Sequence, residues 1–421
     1  MSETIIKPRE KKAIVGSLKV GIVPKIGIQH IQVGRSREIA EMLKDFESIS
    51  SGGATTRFII GDYGCGKTFF LTLAKLVAHE SNLVVAFADI SISKVLSSSD
   101  GKARALFSEL INNLSTKTKP DGGALQSIIE KWATSVIKSG LEINIENIHK
   151  SLLPLEKYVN SYDFSKVITE YLLAYDRGDD IQMSNALRWL RAEYTTKTEA
   201  RNDLGVRTII NDSEIYDYLK LYAGFVTLAG YNGLVVNIDE LAVLQRLQSQ
   251  IRNKNYEVLL SIINDSTQGS TEHIGFIFSG TPAFLEDKYK GMNSYEALET
   301  RLADNPNSKK GMEDLSGPVI RLSNLSPEEL YVLFFNIRNV FALGDKSKYL
   351  VTDLEIQQYL QSLLNKLGTQ AYLSPRESNK AFVGLLTQLE NYPNSSISDF
   401  IDTQTIIPDK NEEDELFEFK L

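Results

Sequence analysis

The stretch Gly61-Asp62-Tyr63-Gly64-Cys65-Gly66-Lys67-Thr68 has the spacing G-x-x-x-x-G-K-[ST], which cradles a polyphosphate. Glycines let successive backbone N–H groups turn inward toward an anion, and Gly64 adds a further flexible point. A helix opening at Lys67 aims its free N–H groups and the positive end of its dipole at the same charge. Lys67 would neutralise β- and γ-phosphate oxygens, and Thr68 would ligate Mg2+ through its hydroxyl. The expected ligands are therefore ATP and Mg2+.

A second constellation closes the apolar run Leu234-Val235-Val236-Asn237-Ile238 with Asp239-Glu240. A buried strand ending in two carboxylates presents them at the carboxyl edge of an open α/β sheet, where ligands bind. Asp239 suits Mg2+ and Glu240 suits an attacking water, the two needs of nucleoside triphosphate hydrolysis. The run from Ile274 to Phe278 leads into Ser279-Gly280-Thr281-Pro282, so Ser279 or Thr281 would offer a hydroxyl to the γ-phosphate. Arg376 sits in the first turn of a helix announced by Ser374-Pro375-Arg376-Glu377, where a guanidinium adds a bidentate grip on an anion. Arg301 would act as an arginine finger across a subunit interface, with Arg321 as the alternative.

These residues need elements to hold them. Short apolar runs at 57–60, 83–90, 234–238, 274–278 and 318–322 read as strands buried on both faces. A strand, the phosphate loop, a helix from Lys67 and the next strand open a parallel α/β fold. The text from about 102 to 229 is helical, with candidate helices Ala103–Leu114, Ala124–Lys138, Ile145–Val159 and Ile181–Tyr194. It is too long for a loop and reads as an all-helical insertion. Beyond Leu322, the starts Ser326-Pro327-Glu328-Glu329, Thr352-Asp353-Leu354-Glu355 and Ser374-Pro375-Arg376-Glu377 announce capped helices of a small lid domain. The expected division is a lead-in over 1–33, a core over 34–323 that includes the insertion, a helical lid over 324–393 and a tail over 394–421. Residues 1–13 read as a mobile basic tail, and 410–421 as an acidic, frayed end.

Composition bounds the rest. The 421 residues are too many for one core, and 42% hydrophobic with 24% charged residues is ordinary globular text. A net charge of -8 argues against a simple basic coat for nucleic acid, though a local basic face survives such a total. The single cysteine, Cys65, excludes an intrachain disulfide, and the four histidines fall in no metal-ligand spacing. The start has no apolar signal core, so a cytoplasmic protein is expected. The uncharged stretch 221–238 is long enough to raise a membrane span, but Gly230-Tyr231-Asn232-Gly233 splits it into helix end, turn and strand.

The order phosphate loop, Asp-Glu strand, sensor strand and lid arginine resembles an AAA+ ATPase of the origin-recognition/STAND branch. The sequence more closely resembles the ATP-binding protein family of BREX phage-defence systems, BrxD-like. The matching pieces are Gly21-Ile22-Val23-Pro24, Val33-Gly34-Arg35, Arg57-Phe58-Ile59-Ile60-Gly61-Asp62-Tyr63-Gly64, Leu204-Gly205-Val206-Arg207 and Ala229-Gly230-Tyr231-Asn232-Gly233-Leu234. They continue with Gly280-Thr281-Pro282, Glu286-Asp287, Ser294-Tyr295-Glu296-Ala297-Leu298, Arg301-Leu302 and Leu373-Ser374-Pro375-Arg376-Glu377. Cys65 stands where a Ser or Ala is common. The resemblance implies anti-phage defence beside a methyltransferase and other system proteins. Two functions are carried forward. One is an ATP-hydrolysing AAA+ switch that assembles, as a homo-oligomer or with defence-system partners, on double-stranded DNA. The other is a signalling ATPase without DNA, whose helical insertion binds a protein partner. A metabolic kinase is the weakest reading, because no acceptor-substrate site is visible.

Overall fold

A computed structural model describes residues 5–138, 144–307, 314–367 and 374–401. The acidic end 410–421 and Leu373 lie outside the described residues. In chain order the elements are α1 (Pro8–Lys19), α2 (Ser36–Ser50), β1 (Ala54–Ile60), α3 (Lys67–Glu80), β2 (Val84–Asp89), α4 (Lys102–Asn112) and α5 (Leu125–Lys138). There follow α6 (Ile145–Leu152), α7 (Ser161–Arg177), α8 (Asp180–Leu190), α9 (Lys197–Leu204), α10 (Ile215–Leu228) and β3 (Leu234–Asp239). The remainder comprises α11 (Ser249–Gln268), β4 (Ile274–Gly280), α12 (Pro282–Glu286), α13 (Glu296–Leu302), β5 (Val319–Arg321), α14 (Pro327–Phe341), α15 (Asp353–Leu367) and α16 (Pro375–Asn391). Contacts divide the chain into two compact units, one of residues 1–36, 61–73 and 321–421, the other of 37–60 and 74–320.

The larger unit is α/β. Its five-stranded sheet has the order β2-β3-β4-β1-β5. β2 pairs with β3, β3 with β4, and β4 with β1, all parallel. The register sets Asp89 beside Asp239 and Ile60 beside Gly280, so the carboxyl ends of the strands share one edge. β1 ends on that edge, and the chain runs directly on into Gly61. Alternate residues of a strand share a face. Phe58, Ile60, Ala86, Val236, Ile238, Phe276 and Phe278 belong to one core with residues of α4, α5, α7 and α10. Phe58 stacks on Phe278 at 5.0 Å between ring centroids. Fully burying each such side chain stabilises the fold by about 1.5–3 kcal/mol.

Between β2 and β3 the described chain is built from helices. α6 stops at Leu152, seven residues short of the expected end. Pro154 has no N–H to continue the helix, and residues 153–155 tighten into a 3-10 turn. The uncharged stretch 221–238 divides as its turn residues require: α10 ends at Leu228, Gly230 takes φ 78°, and β3 starts at Leu234. Among the described residues no helix is long and apolar enough to cross a membrane.

The smaller unit packs α1 with α14, α15 and α16. The expectation of a mobile tail over 1–13 is corrected from Pro8 onward. Pro8 opens α1, and the Glu10 carboxylate accepts the Lys7 N–H at 2.8 Å, which caps the first turn. One face of the helix is charged. The other carries Ile14 and Leu18 into a core with Leu330, Phe334, Ile337, Phe382 and Leu386. Phe334 and Phe382 stack at 4.4 Å. All three expected capping signatures hold their helix starts. Ser326 Oγ accepts from Glu329 N, Thr352 Oγ1 from Glu355 N and Ser374 Oγ from Glu377 N, at 3.2 to 3.3 Å.

Candidate functional site

The phosphate loop lies in the smaller unit. Gly64 and Gly66 take φ 74° and 100°, the left-handed region that a side chain resists. These two turns shape the loop between Ile60 and α3. Lys67 Nζ donates to the carbonyls of Gly61 and Asp62, at 2.8 and 2.9 Å, and lies 5.3 Å from the centre of the Tyr63 ring. The ammonium therefore spans the loop's mouth, where phosphate oxygens would replace the carbonyls as its partners. Thr68 is exposed in the first turn of α3. Among the described residues no group of three or more His, Cys, Asp or Glu side chains forms a metal cage. Mg2+ keeps several waters and takes few protein ligands beside phosphate, and the exposed Thr68 hydroxyl is a ligand of that kind.

Gly61 has no room for a side chain. A Cβ there would lie 2.5 Å from Cys65 Sγ and 2.8 Å from the Leu322 carbonyl. Cys65 is buried, and burial pushes its thiol above the ordinary value against the opposing pull of Lys67 and Arg35. The amino end of α16 closes on the loop. A Cβ on Gly64 would meet Ser374 Oγ at 2.8 Å and Arg376 Cβ at 3.4 Å. The Arg376 side chain also runs beside Gly21, its Nε 3.0 Å from where a Cβ would stand. Arg376 is thus next to the phosphate loop within one unit.

A residue that the motif reading did not single out as a site residue joins them. Arg35, at φ 62°, donates from Nη2 to the Cys65 carbonyl at 3.1 Å and to the Ser323 carbonyl. It ties the loop to the chain that leaves β5. Gly34 precedes it at φ 66°, the left-handed region that favours glycine, and a Cβ there would also crowd a Glu329 carboxylate oxygen at 2.5 Å. The sequence signal was the Gly34-Arg35 pair ahead of a helix, too short to carry a role unaided.

The carboxylates lie in the larger unit, on the carboxyl edge of the sheet. Asp239 is 2% exposed. Its Oδ1 accepts from Glu240 N at 2.9 Å and from the Ser279 hydroxyl, which orients the carboxylate. Glu240 is exposed and holds φ 62°, a strained value for a residue with a side chain. Thr281 Oγ1 accepts from Phe284 N at 3.2 Å and caps α12, leaving its own hydrogen to give. Asp89, in register with Asp239 across β2 and β3, is a second residue the motifs missed. Its carboxyl is pushed up to about 6, first by loss of hydration, then by Asp239 and Glu109, with Lys94 pulling the other way. The signal was an aspartate closing a buried strand.

Arg301 is not gathered with this edge. It is exposed on α13, where Nε donates to Asn264 Oδ1 at 2.6 Å and Nη1 to the Ala297 carbonyl at 3.0 Å. With Asn264, Thr55 and Thr56 it lines a cavity of about 520 Å3 beside the first half of β1. Arg321 ends β5 and is exposed.

A loop shaped for phosphates, a lysine across its mouth and an oriented aspartate on a sheet edge are the parts of an ATP-binding protein. No curated protein matches this sequence. The family model of the BREX system ATP-binding protein BrxC/D matches residues 6–405, nearly the whole chain, and the chain belongs to that family.

Proposed function

We propose that the chain hydrolyses ATP as an AAA+ enzyme and uses the cycle to assemble on DNA within its defence system. The observation that carries the reading is Lys67 Nζ held across the mouth of the Gly61–Thr68 loop by two carbonyls. In this reading Gly61, Asp62, Tyr63, Gly64, Cys65 and Gly66 wrap the phosphates with backbone N–H groups, and Lys67 carries the β- and γ-oxygens. Mg2+, when bound, neutralises charge developing on those oxygens, with Thr68 and Asp239 as the side chains that hold it. Ser279 keeps Asp239 turned to that task through the hydroxyl contact already described. Glu240 orients the attacking water and accepts its proton at the carboxylate. Thr281, with a hydroxyl hydrogen to give, is the donor toward the γ-phosphate. Arg376 grips that phosphate from the lid. Arg301 serves a neighbouring copy as the finger, a role consistent with its exposure, and Arg321 is the alternate.

The division into core 34–323, helical insertion about 102–229 and lid 324–393 belongs to this reading. ATP would clamp lid and core and organise a multimer. Exposed Ile137, Ile145, Leu153, Val159 and Tyr162 on α5 to α7 favour a second reading, in which the insertion also docks a protein partner. The test is steady-state ATPase of wild type and Glu240→Gln, with and without duplex DNA, over a range of protein concentrations. Turnover that rises with DNA and concentration and vanishes in the variant supports the proposal. Tight ATP binding with flat, negligible turnover overturns it in favour of a nucleotide-locked signalling switch.

A further inference from the structure

The turn after α12 carries three consecutive exposed side chains, Lys288, Tyr289 and Lys290. Tyr289 is 88% exposed, the most of any large hydrophobic side chain among the described residues. An exposed tyrosine on a loose loop would mean little, but this backbone is fixed. Asp287 Oδ1 accepts the N–H groups of Tyr289 and Lys290 at 2.7 and 3.1 Å. Gly291 N donates back to the Asp287 carbonyl at 2.9 Å and closes the turn. Gly291 is obligatory, since a Cβ would lie 2.6 Å from the carbonyl oxygens of both Asp287 and Phe284. From beneath, the buried Tyr256 hydroxyl donates to the Lys290 carbonyl at 2.6 Å. Phe284 and Met292, on either side of the turn, are fully buried.

The turn is thus bolted to the core on both flanks, and its three side chains point into solvent. Asp287 faces inward to backbone N–H groups, so its charge is partly offset there. Glu299 approaches Lys288 only at 3.8 Å, between exposed side chains. Such a pair is weak and yields readily to a stronger anion. An exposed aromatic side chain flanked in sequence by two exposed lysines does not match the core of a protein interface, where charge is depleted. It does match a backbone phosphate on each side of a base stacked on the ring.

We propose that the Lys288-Tyr289-Lys290 turn is a nucleic-acid contact, in which Tyr289 stacks on an unpaired or unstacked base and the two lysines take flanking phosphates. This deepens the DNA-linked reading above and rests on it. It predicts a preference for single-stranded over intact duplex DNA.

The test is fluorescence anisotropy of the full chain with a labelled single strand and with its duplex, across a series of salt concentrations. Variants are Tyr289→Ala, Tyr289→Phe, Lys288→Ala/Lys290→Ala, and Tyr392→Ala as a control at another exposed tyrosine. Tyr289→Ala should weaken single-strand binding about tenfold or more with the salt dependence unchanged, and Tyr289→Phe should restore it. The lysine pair should lower the slope of log affinity against log salt by about one to two. ATPase activity without nucleic acid should stay at the wild-type level in every variant. Wild type that binds DNA while the Tyr289 and lysine variants match it overturns the turn as the contact and leaves the DNA-linked reading standing. Wild type that binds neither strand nor duplex at low salt overturns both.

Discussion

Gly61 and Cys65 are packed so tightly that each fixes the other. A thiol in a phosphate loop is expected to be open to alkylation and shielded by bound nucleotide, but this one is 2% exposed and its ionisation is disfavoured by burial. The thiolate is the reactive species, so native Cys65 should react with iodoacetamide at least about a hundredfold more slowly than in the urea-unfolded chain. Mass spectrometry at timed intervals reads this, and equal rates would show that Sγ faces solvent. Lys67 is different, since its two partners are carbonyls that ATP would displace. Lys67→Ala should lose at least about 1.5–3 kcal/mol of ATP affinity in calorimetry, the worth of a hydrogen bond to a charged group. Unchanged affinity would remove the loop from the site. Glu240→Gln keeps shape and loses basicity. It should bind ATP normally and turn over about a hundredfold to ten-thousandfold more slowly.

Between residue and molecule, the α16 amino end and the phosphate loop are mutually fitted. Gly64→Ala meets two penalties: a left-handed backbone, which disfavours a side chain by about 1–2 kcal/mol, and a Cβ 2.8 Å from Ser374 Oγ. The double variant Gly64→Ala/Ser374→Gly separates them. Partial recovery of ATP affinity would assign part of the loss to the collision, and no recovery would assign it to backbone strain alone. Elements of this kind were legible to different degrees. Strands such as Leu234–Asp239 announced themselves as short apolar runs between turn residues, and Ser326, Thr352 and Ser374 marked their helices by local chemistry. The loop motif and the Asp239-Glu240 pair were legible for the same reason, since each is contiguous. α1 was hidden by its charged face, because only Ile14 and Leu18 of the helix are buried and their partners lie on α14 and α16. Arg35 and Asp89 were hidden more deeply. Their roles exist only once Arg35 meets the Cys65 carbonyl and β2 settles in register with β3.

At the scale of the molecule, stability and activity should each carry a signature of one placement. His79, 3% exposed on α3, meets Ser115 Oγ at 3.2 Å through Nε2. Ser115 gives its own hydrogen to the Val85 carbonyl, so Nε2 must be the donor and Nδ1 is left a bare acceptor, without a partner among the described residues. A proton on Nδ1 would be buried unpaired, and burial first, then Lys75, holds the pKa down to about 4. The unfolded value is about 6.5, so the unfolded chain takes the proton first. The stability contributed by neutral His79 is therefore complete above about 6.5 and is lost as pH falls toward 4. Urea titrations at pH 7 and pH 5 should differ by about 2 kcal/mol from this group, and His79→Gln should flatten the difference. Assembly makes the other signature. Arg301 stands beside Asn264 and the start of β1, away from the edge that carries Asp239, so its own chain is a poor recipient of its charge. If it serves a neighbour, turnover per chain should rise with concentration, and Arg301→Ala should lower kcat by about a thousandfold or more while leaving ATP affinity unchanged. Mixing decides between cis and trans. Arg301→Ala combined with Lys67→Ala should stay inactive when both changes sit in one chain. Mixed single-variant chains should regain activity, because one chain supplies the finger and the other the intact phosphate loop. No recovery on mixing, with Arg321→Ala behaving as Arg301→Ala was expected to, would move the finger to the end of β5.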